Sequence, residues 1–234
     1  LAQGPADAAP RPWRDLGVRA ASAVIMAPLG FASLWYGGDL LLVVMACLCA
    51  AAVFEWIGMM RAGTPGRWPV PVLLIGGCYI LPAPVLVAWM RAAPEVGRAN
   101  VLFLVLIVWG SDIGAYLVGR LVGGPKLAPR ISPGKTRSGA VGGLAVAMLI
   151  GWGAAVAWNL SPAQGIVVAA LLGIASQIGD LFESAAKRHF GVKDSGRLIP
   201  GHGGVLDRID GLLVAAPAAA VLVLMLGQGK VLWQ

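Results

Sequence analysis

The chain has 234 residues, 58% of them hydrophobic and 12% charged, with 18 Lys and Arg against 11 Asp and Glu. A soluble domain carries about 25% charge, which excludes a water-soluble globular fold, and too little polarity remains to keep a disordered chain solvated. What remains is an integral membrane protein, in which a formal charge of +7 has two uses: fixing topology and meeting polyanions such as phosphates.

Residues 1–17 are Ala/Pro-rich at their start and read as a flexible or trimmed tail, set aside from the fold. A membrane-spanning helix needs about 20 apolar residues. On that basis spans fall near 18–36, 39–60, 70–90, 100–119, 139–159, 164–186 and 210–228. Pro82 and Pro84 interrupt the third, which reads as one helix or as two shorter ones, giving eight elements in place of seven. The expected fold is all-α, a polytopic bundle of membrane helices. Residues 18–95 form its N-terminal helices, and residues 96–234 form a second membrane domain with long loops at 120–138 and 187–209. Cys47, Cys49 and Cys78 lie in apolar runs and read as small packing residues, not as a disulfide framework or a zinc site.

With the N-terminus inside, all of the 18 Lys and Arg except Arg91, Arg98 and Lys230 fall on the cytoplasmic side. This asymmetry satisfies the positive-inside rule and places both long loops in the cytoplasm.

An acidic side chain at the centre of a span costs about 2.5–3.5 kcal/mol on insertion scales, so intramembrane carboxylates need a reason to exist. Asp112 shares a helix face with Tyr116 and Arg120, at i+4 and i+8, and is either compensated by Arg120 or part of a site. In the sixth span Ser176, Gln177, Asp180, Glu183, Ser184 and Lys187 form a polar stripe that must face protein or water. Interhelical hydrogen bonding accounts for such a stripe at Ser176 and Gln177. Asp180 and Glu183 point further, because two carboxylates three residues apart repel unless a cation or base lies between them.

The loop from Lys187 to Asp210 is dense in Lys, Arg, Asp, His and Gly. Gly201, Gly203 and Gly204 flank His202, and glycines let backbone N–H groups approach a phosphate closely. Asp207 and Asp210 stand three apart at the expected start of the last helix, and carboxylates suit a hard divalent ion such as Mg2+. In the other loop Lys126, Arg130, Lys135 and Arg137 lie among Gly and Pro, positioned for a triphosphate or for anionic lipid headgroups. A P-loop is absent. So is the Asp-Gly-x2-Ala-Arg pattern of CDP-alcohol phosphotransferases. These residues imply a metal and polyphosphate site near the cytoplasmic interface and leave its substrate unnamed.

The run Ser184-x2-Lys187-Arg188-x4-Lys193-Asp194-x-Gly196-x2-Ile199-Pro200-x-His202-Gly203-Gly204-x2-Asp207-Arg208-x-Asp210 closely resembles the signature of phosphatidate cytidylyltransferases, also called CDP-diacylglycerol synthases. The likeness extends to Gly179-Asp180-Leu181-Phe182-Glu183-Ser184, to Asp112-x2-Ala115-Tyr116-x2-Gly119-Arg120 and to Ser132-Pro133-x-Lys135-Thr136, covering about residues 100–212. The first 95 residues resemble the family only in being hydrophobic spans. Gly134 and Ser138 stand where the family pattern has Lys and Glu.

The resemblance implies transfer of CMP from CTP to phosphatidic acid, giving CDP-diacylglycerol and pyrophosphate, a step of phospholipid biosynthesis at the cytoplasmic face of a bacterial inner membrane. It implies Mg2+, with a second cation such as K+, held by Asp180 and Asp207, and Asp112, Glu183 and Asp210 as auxiliary ligands. Lys135, Lys187, Arg188, Lys193 and Arg208 are the expected donors to phosphate. Ser132, Thr136, Gly203 and Gly204 support the nucleotide, and His202 serves as a loop-fixing group or in proton transfer. CTP, phosphatidic acid and membrane lipids are the expected partners, within a homodimer and without nucleic acid. Two other readings stand beside this one: a cytidylyltransferase for another lipid phosphate, and a cation-coupled transporter, whose acids would be strung along a path across the bilayer.

Overall fold

The computed structural model describes residues 12–64, 66, 69–201, 203–227 and 229–234, with side chains from Ser22 onward apart from residue 23. Ten elements follow in order: α1 (Pro12–Tyr36), α2 (Gly38–Gly63), α3 (Val70–Ile80), α4 (Pro82–Arg91), α5 (Gly97–Val122), β1 (Lys126–Ala128), β2 (Ser132–Thr136), α6 (Arg137–Ala157), α7 (Pro162–His189) and α8 (Leu206–Leu226). Among the described residues, six spans are long and apolar enough to cross a membrane: α2, α3 with α4, α5, α6, α7 and α8. The first expected span corresponds to α1, whose apolar stretch is the shorter Val24–Tyr36. The chain is thus an integral membrane helix bundle.

The third span is two helices that act as one crossing. Leu81 keeps α-helical angles and donates to Gly77 O at 3.0 Å. Pro82 and Pro84 then bring no N–H to the next carbonyls, so the hydrogen-bond ladder breaks there. The loop after α5 departs from an all-helical expectation. Gly123 and Gly124 take positive φ, Pro125, Pro129 and Pro133 exclude a continued helix, and the segment closes as an antiparallel hairpin with Lys126 opposite Thr136 and Ala128 opposite Ser132.

Close helix approach in lipid depends on small residues, since apolar side chains gain nothing by leaving an apolar solvent. A Cβ added at Gly173 of α7 would lie 3.0 Å from Ala147 of α6, and one added at Gly139 of α6 would lie 2.7 Å from the Ala115 carbonyl of α5. Gly179 of α7 rests directly on the Asp210 carbonyl of α8, and Gly211 of α8 on the Ser176 hydroxyl. Large apolar side chains such as Ile113, Leu149, Ile178 and Leu224 point outward and are exposed, as a lipid-facing surface requires. Cys47 and Cys78 are on that surface too, and Cys49 is half-buried, so only Cys49 packs as expected of all three.

The two ends of the bundle differ in character. At one end Arg91 donates to the Leu34 and Trp35 carbonyls at 2.6 and 2.5 Å. There Asn100 also receives Leu232 N–H at 2.8 Å and donates to Lys230 O at 3.1 Å, and Trp233 packs on Phe103 and Trp158. The opposite end carries the hairpin, the long loop between α7 and α8, and the start of α8. Phe190 packs there against Gly63 at the end of α2 and on Trp56.

Candidate active site

The polar stripe on α7 meets α5, α6 and the hairpin around a cavity of about 480 Å³, lined among others by Asp112, Tyr116, Arg120, Lys135, Gln177 and Asp180. Each helix contributes a face that its sequence spacing had aligned. The Arg120 guanidinium donates to the Tyr116 hydroxyl at 3.1 Å, one turn along α5. Lys135 projects from β2 and forms an ion pair with Asp180 of α7. Arg120 thus bonds a phenol and not Asp112, which remains exposed. Gln177 donates to Ala140 O at 3.0 Å and to Ser111 Oγ at 3.4 Å, the interhelical role that the sequence offered for it. The Ser176 hydroxyl is fully buried beneath Gly211.

A second set of charges lies beside the first, at the junction of α7, the long loop and α8. Lys187 Nζ stands 2.5 Å from Glu183 Oε2 and 2.6 Å from Asp207 Oδ1. Glu183 is completely buried, so its charge depends on this one lysine. Asp207 Oδ2 receives three more donors: Ser195 Oγ at 2.8 Å, Ser195 N–H at 3.1 Å and Gly204 N–H at 3.1 Å. A carboxylate has about four acceptor positions, so these four donors anchor Asp207. One turn further along α8, Asp210 neighbours Asp180 where α7 and α8 touch and accepts Gly211 N–H at 2.8 Å.

Asp180 and Asp207 are therefore not tied to each other. Asp180 belongs with Lys135 and Asp210, and Asp207 with Lys187, Glu183 and Ser195. Gly203 and Gly204 also differ from a phosphate cradle. Gly203, at a φ of +87°, exchanges both backbone bonds with Ile199, at 2.9 and 3.1 Å, and the Gly204 amide is spent on Asp207. Thr136 caps α6, its hydroxyl accepting Gly139 N–H at 3.0 Å, and Ser132 begins β2 opposite Ala128. Arg188 fastens the long loop to the hairpin, donating to Val192 O and Ile131 O at 3.2 Å each. Lys193 and Arg208 are exposed on the same end. His202 lies outside the described residues.

Two residues of this network were not signalled by the motif. Glu55, near the end of α2 and 2% exposed, accepts Val205 N–H at 3.0 Å, Leu206 N–H at 2.9 Å and Ser195 Oγ at 3.1 Å. Ser195 is likewise buried. The insertion cost that singles out Asp112 and Asp180 applies equally to a glutamate in the second span, and that was the available signal for Glu55. Nothing in the sequence marks Ser195.

Among the described residues no group of three or more His, Cys, Asp or Glu converges as a metal-binding set. Mg2+ does not require one, since it keeps several waters and binds through one or two carboxylates together with substrate phosphates. The Asp180–Asp210 pair fits that chemistry: two carboxyl groups in mutual reach need a proton or a cation between them, and their oxygen donors are of the hard kind.

The fold and site define a membrane-embedded helix bundle with an acid-and-base cleft at one end, and the chain belongs to the Cytidylyltransferase family, which matches residues 66–226. Among curated proteins, a phosphatidate cytidylyltransferase of Brucella suis biovar 1 (strain 1330) is 51% identical over 150 residues, covering 64% of this chain and 54% of that protein. One of Staphylococcus haemolyticus (strain JCSC1435) is 45% identical over 140 residues, 59% of this chain and 54% of that protein. One of Staphylococcus saprophyticus subsp. saprophyticus is 44% identical over 132 residues, 56% and 51%. The chain thus spans about half the length of the curated relatives it matches.

Proposed function

We propose that this chain transfers a cytidylyl group from CTP to phosphatidate, forming CDP-diacylglycerol and pyrophosphate. The observation that carries the reading is the cavity at one end of a membrane bundle in which Lys135 and Arg120 stand opposite Asp112 and Asp180. The family membership and the relatives' names supply the substrate class.

A phosphate oxygen of the lipid forms the new bond to the α-phosphorus of CTP while the bond to the bridging oxygen breaks, and its electron pair leaves on pyrophosphate. The nucleophile is already anionic, so no side chain has to remove a proton. The obstacle is repulsion between two anions, which fixed positive charge lowers in a low-dielectric site. Lys135 and Arg120 serve the cavity, and Arg188, Lys193 and Arg208 the loop above it. Lys187 is committed to Glu183 and Asp207, so its part is to hold the first turn of α8. Asp180 and Asp210 would hold Mg2+, and Asp112, Glu183 and Asp207 lie behind them. When bound, the ion supplies charge neutralisation on the transferring phosphates.

The excess of Lys and Arg at this end supports a cytoplasmic orientation by the positive-inside rule, with the acyl chains remaining in the bilayer beside α5 and α7. The bacterial relatives support an inner-membrane location, and the family resemblance implies a K+ ion beside Mg2+ and a homodimer. The test is release of pyrophosphate by detergent-purified protein supplied with CTP, phosphatidate and Mg2+. Turnover that stops with EDTA and falls at least about 100-fold in Asp180→Asn is expected. No turnover with phosphatidate, but turnover with a polyprenyl-type lipid phosphate, would reassign the acceptor.

A further inference from the structure

We infer that Glu55, on the second helix and outside the matched family region, is a positioning residue for the active site: it clamps the start of α8 and Ser195 so that Asp207 is held on Lys187. The inference rests on the function proposed above.

Three donors from residues 140 to 151 positions away converge on this one buried carboxylate. The first amides of a helix have no intrahelical acceptor. In α8 the residue before the helix, Val205, has helical angles and offers no side-chain cap. Glu55 supplies the missing acceptors from outside, its Oε1 taking Val205 N–H and its Oε2 taking Leu206 N–H. Its negative charge also sits where the helix dipole is positive. Leu206 immediately precedes Asp207, so the angle at which Asp207 leaves the helix is set by the amides that Glu55 holds.

Ser195 completes the link. Its single hydroxyl hydrogen lies between Glu55 Oε2 at 3.1 Å and Asp207 Oδ2 at 2.8 Å, and a hydroxyl can donate to only one of them at a time. Gly196 and Gly204 press directly on the same carboxylate and leave no room for a side chain. A path therefore runs from α2 through Glu55 and Ser195 to Asp207 and Lys187. Glutamine cannot replace this residue. Whichever oxygen becomes an NH2 group faces a backbone N–H, so at least one amide loses its acceptor and the charge at the helix start is lost.

The experiment compares wild type with Glu55→Gln, and with Met59→Leu as a packing control on the same helix. Kinetics are normalised to folded, monodisperse protein, and hydrogen exchange is followed at the amides of 195–206. Glu55→Gln is expected to lower kcat by at least about tenfold, with KM for CTP changed by less than about threefold, because a misaimed Asp207 is felt in the transition state more than in binding. Exchange of the Val205 and Leu206 amides should rise by about tenfold or more. Met59→Leu should leave both unchanged.

A Glu55→Gln enzyme with wild-type kcat, or with unaltered exchange at those amides, overturns the inference. A loss of thermal stability with normal kcat assigns Glu55 to folding alone and overturns it as well. If wild type itself does not turn over CTP and phosphatidate, the proposed function fails, and the exchange result still decides whether Glu55 clamps α8.

Discussion

Replacing Lys187 with methionine would strand two carboxylates at the centre of the site. Lys187 Nζ is the one positive group within 4 Å of Glu183 among the described ion pairs, at 2.5 Å, and it lies 2.6 Å from Asp207. The side chains are 13% exposed for Lys187, 0% for Glu183 and 14% for Asp207, so solvent cannot take over its role. Removing one partner of a buried ion pair costs about 3–5 kcal/mol, because the remaining charge is left desolvated and unpaired. At about 2–4 °C per kcal/mol for a chain of this size, the midpoint of thermal unfolding in detergent should fall by about 6–20 °C. Methionine keeps much of the lysine volume, so the loss reports charge more than cavity. The double variant Lys187→Met/Glu183→Met separates the terms. It leaves Asp207 with its Ser195 and Gly204 donors and should recover more than half of the loss, a coupling read from a double-mutant cycle. A midpoint for Lys187→Met within about 2 °C of wild type, under about 1 kcal/mol, would refute the reasoning, since it would mean that Glu183 has no buried charge to neutralise.

Asn100→Leu tests the far end of the bundle. It removes the donor to Lys230 O and the acceptor of Leu232 N–H, leaving that buried N–H unpaired at about 1–3 kcal/mol. Turnover per folded molecule should stay near wild type, because this end lies across the bundle from the cavity, as combined melting and activity curves would reveal. Gly179→Leu acts in the opposite sense: a side chain there must displace the Asp210 carbonyl and Val214, driving α7 from α8 and Asp180 from Asp210. Overpacking of this kind costs about 1–3 kcal/mol, but activity should fall by about 100-fold or more. Near-normal activity would show that the Asp180–Asp210 approach is dispensable.

Much of this molecule was legible along the chain, and the reasons are local. Spans near 39–60, 100–119 and 164–186 correspond to α2, α5 and α7, because apolar length and insertion cost are properties of a contiguous segment. Pro82 and Pro84 announced the break between α3 and α4 because a missing N–H acts within one turn. The stripe of Gln177, Asp180, Glu183 and Lys187 was readable from helical spacing alone. The hairpin at 126–136 was not, since strands of three and five residues carry too few positions for a period to show. Gly203 and Gly204 looked suited to phosphate because glycine permits a close approach, yet whether an amide is free depends on what else reaches it.

By itself the sequence determined the membrane class, the approximate placement of most spans and which charged groups are carried into the apolar layer, all of which follow from hydropathy, proline geometry and spacing within single segments. Only the tertiary structure decided which acid meets which base. Lys135 pairs with Asp180, Lys187 serves Glu183 and Asp207 together, and Glu55 reaches across 151 positions to the first turn of α8. The physical reason is that a hydrogen bond or ion pair is selected over a few ångströms between packed helices, a distance that separation along the chain does not encode.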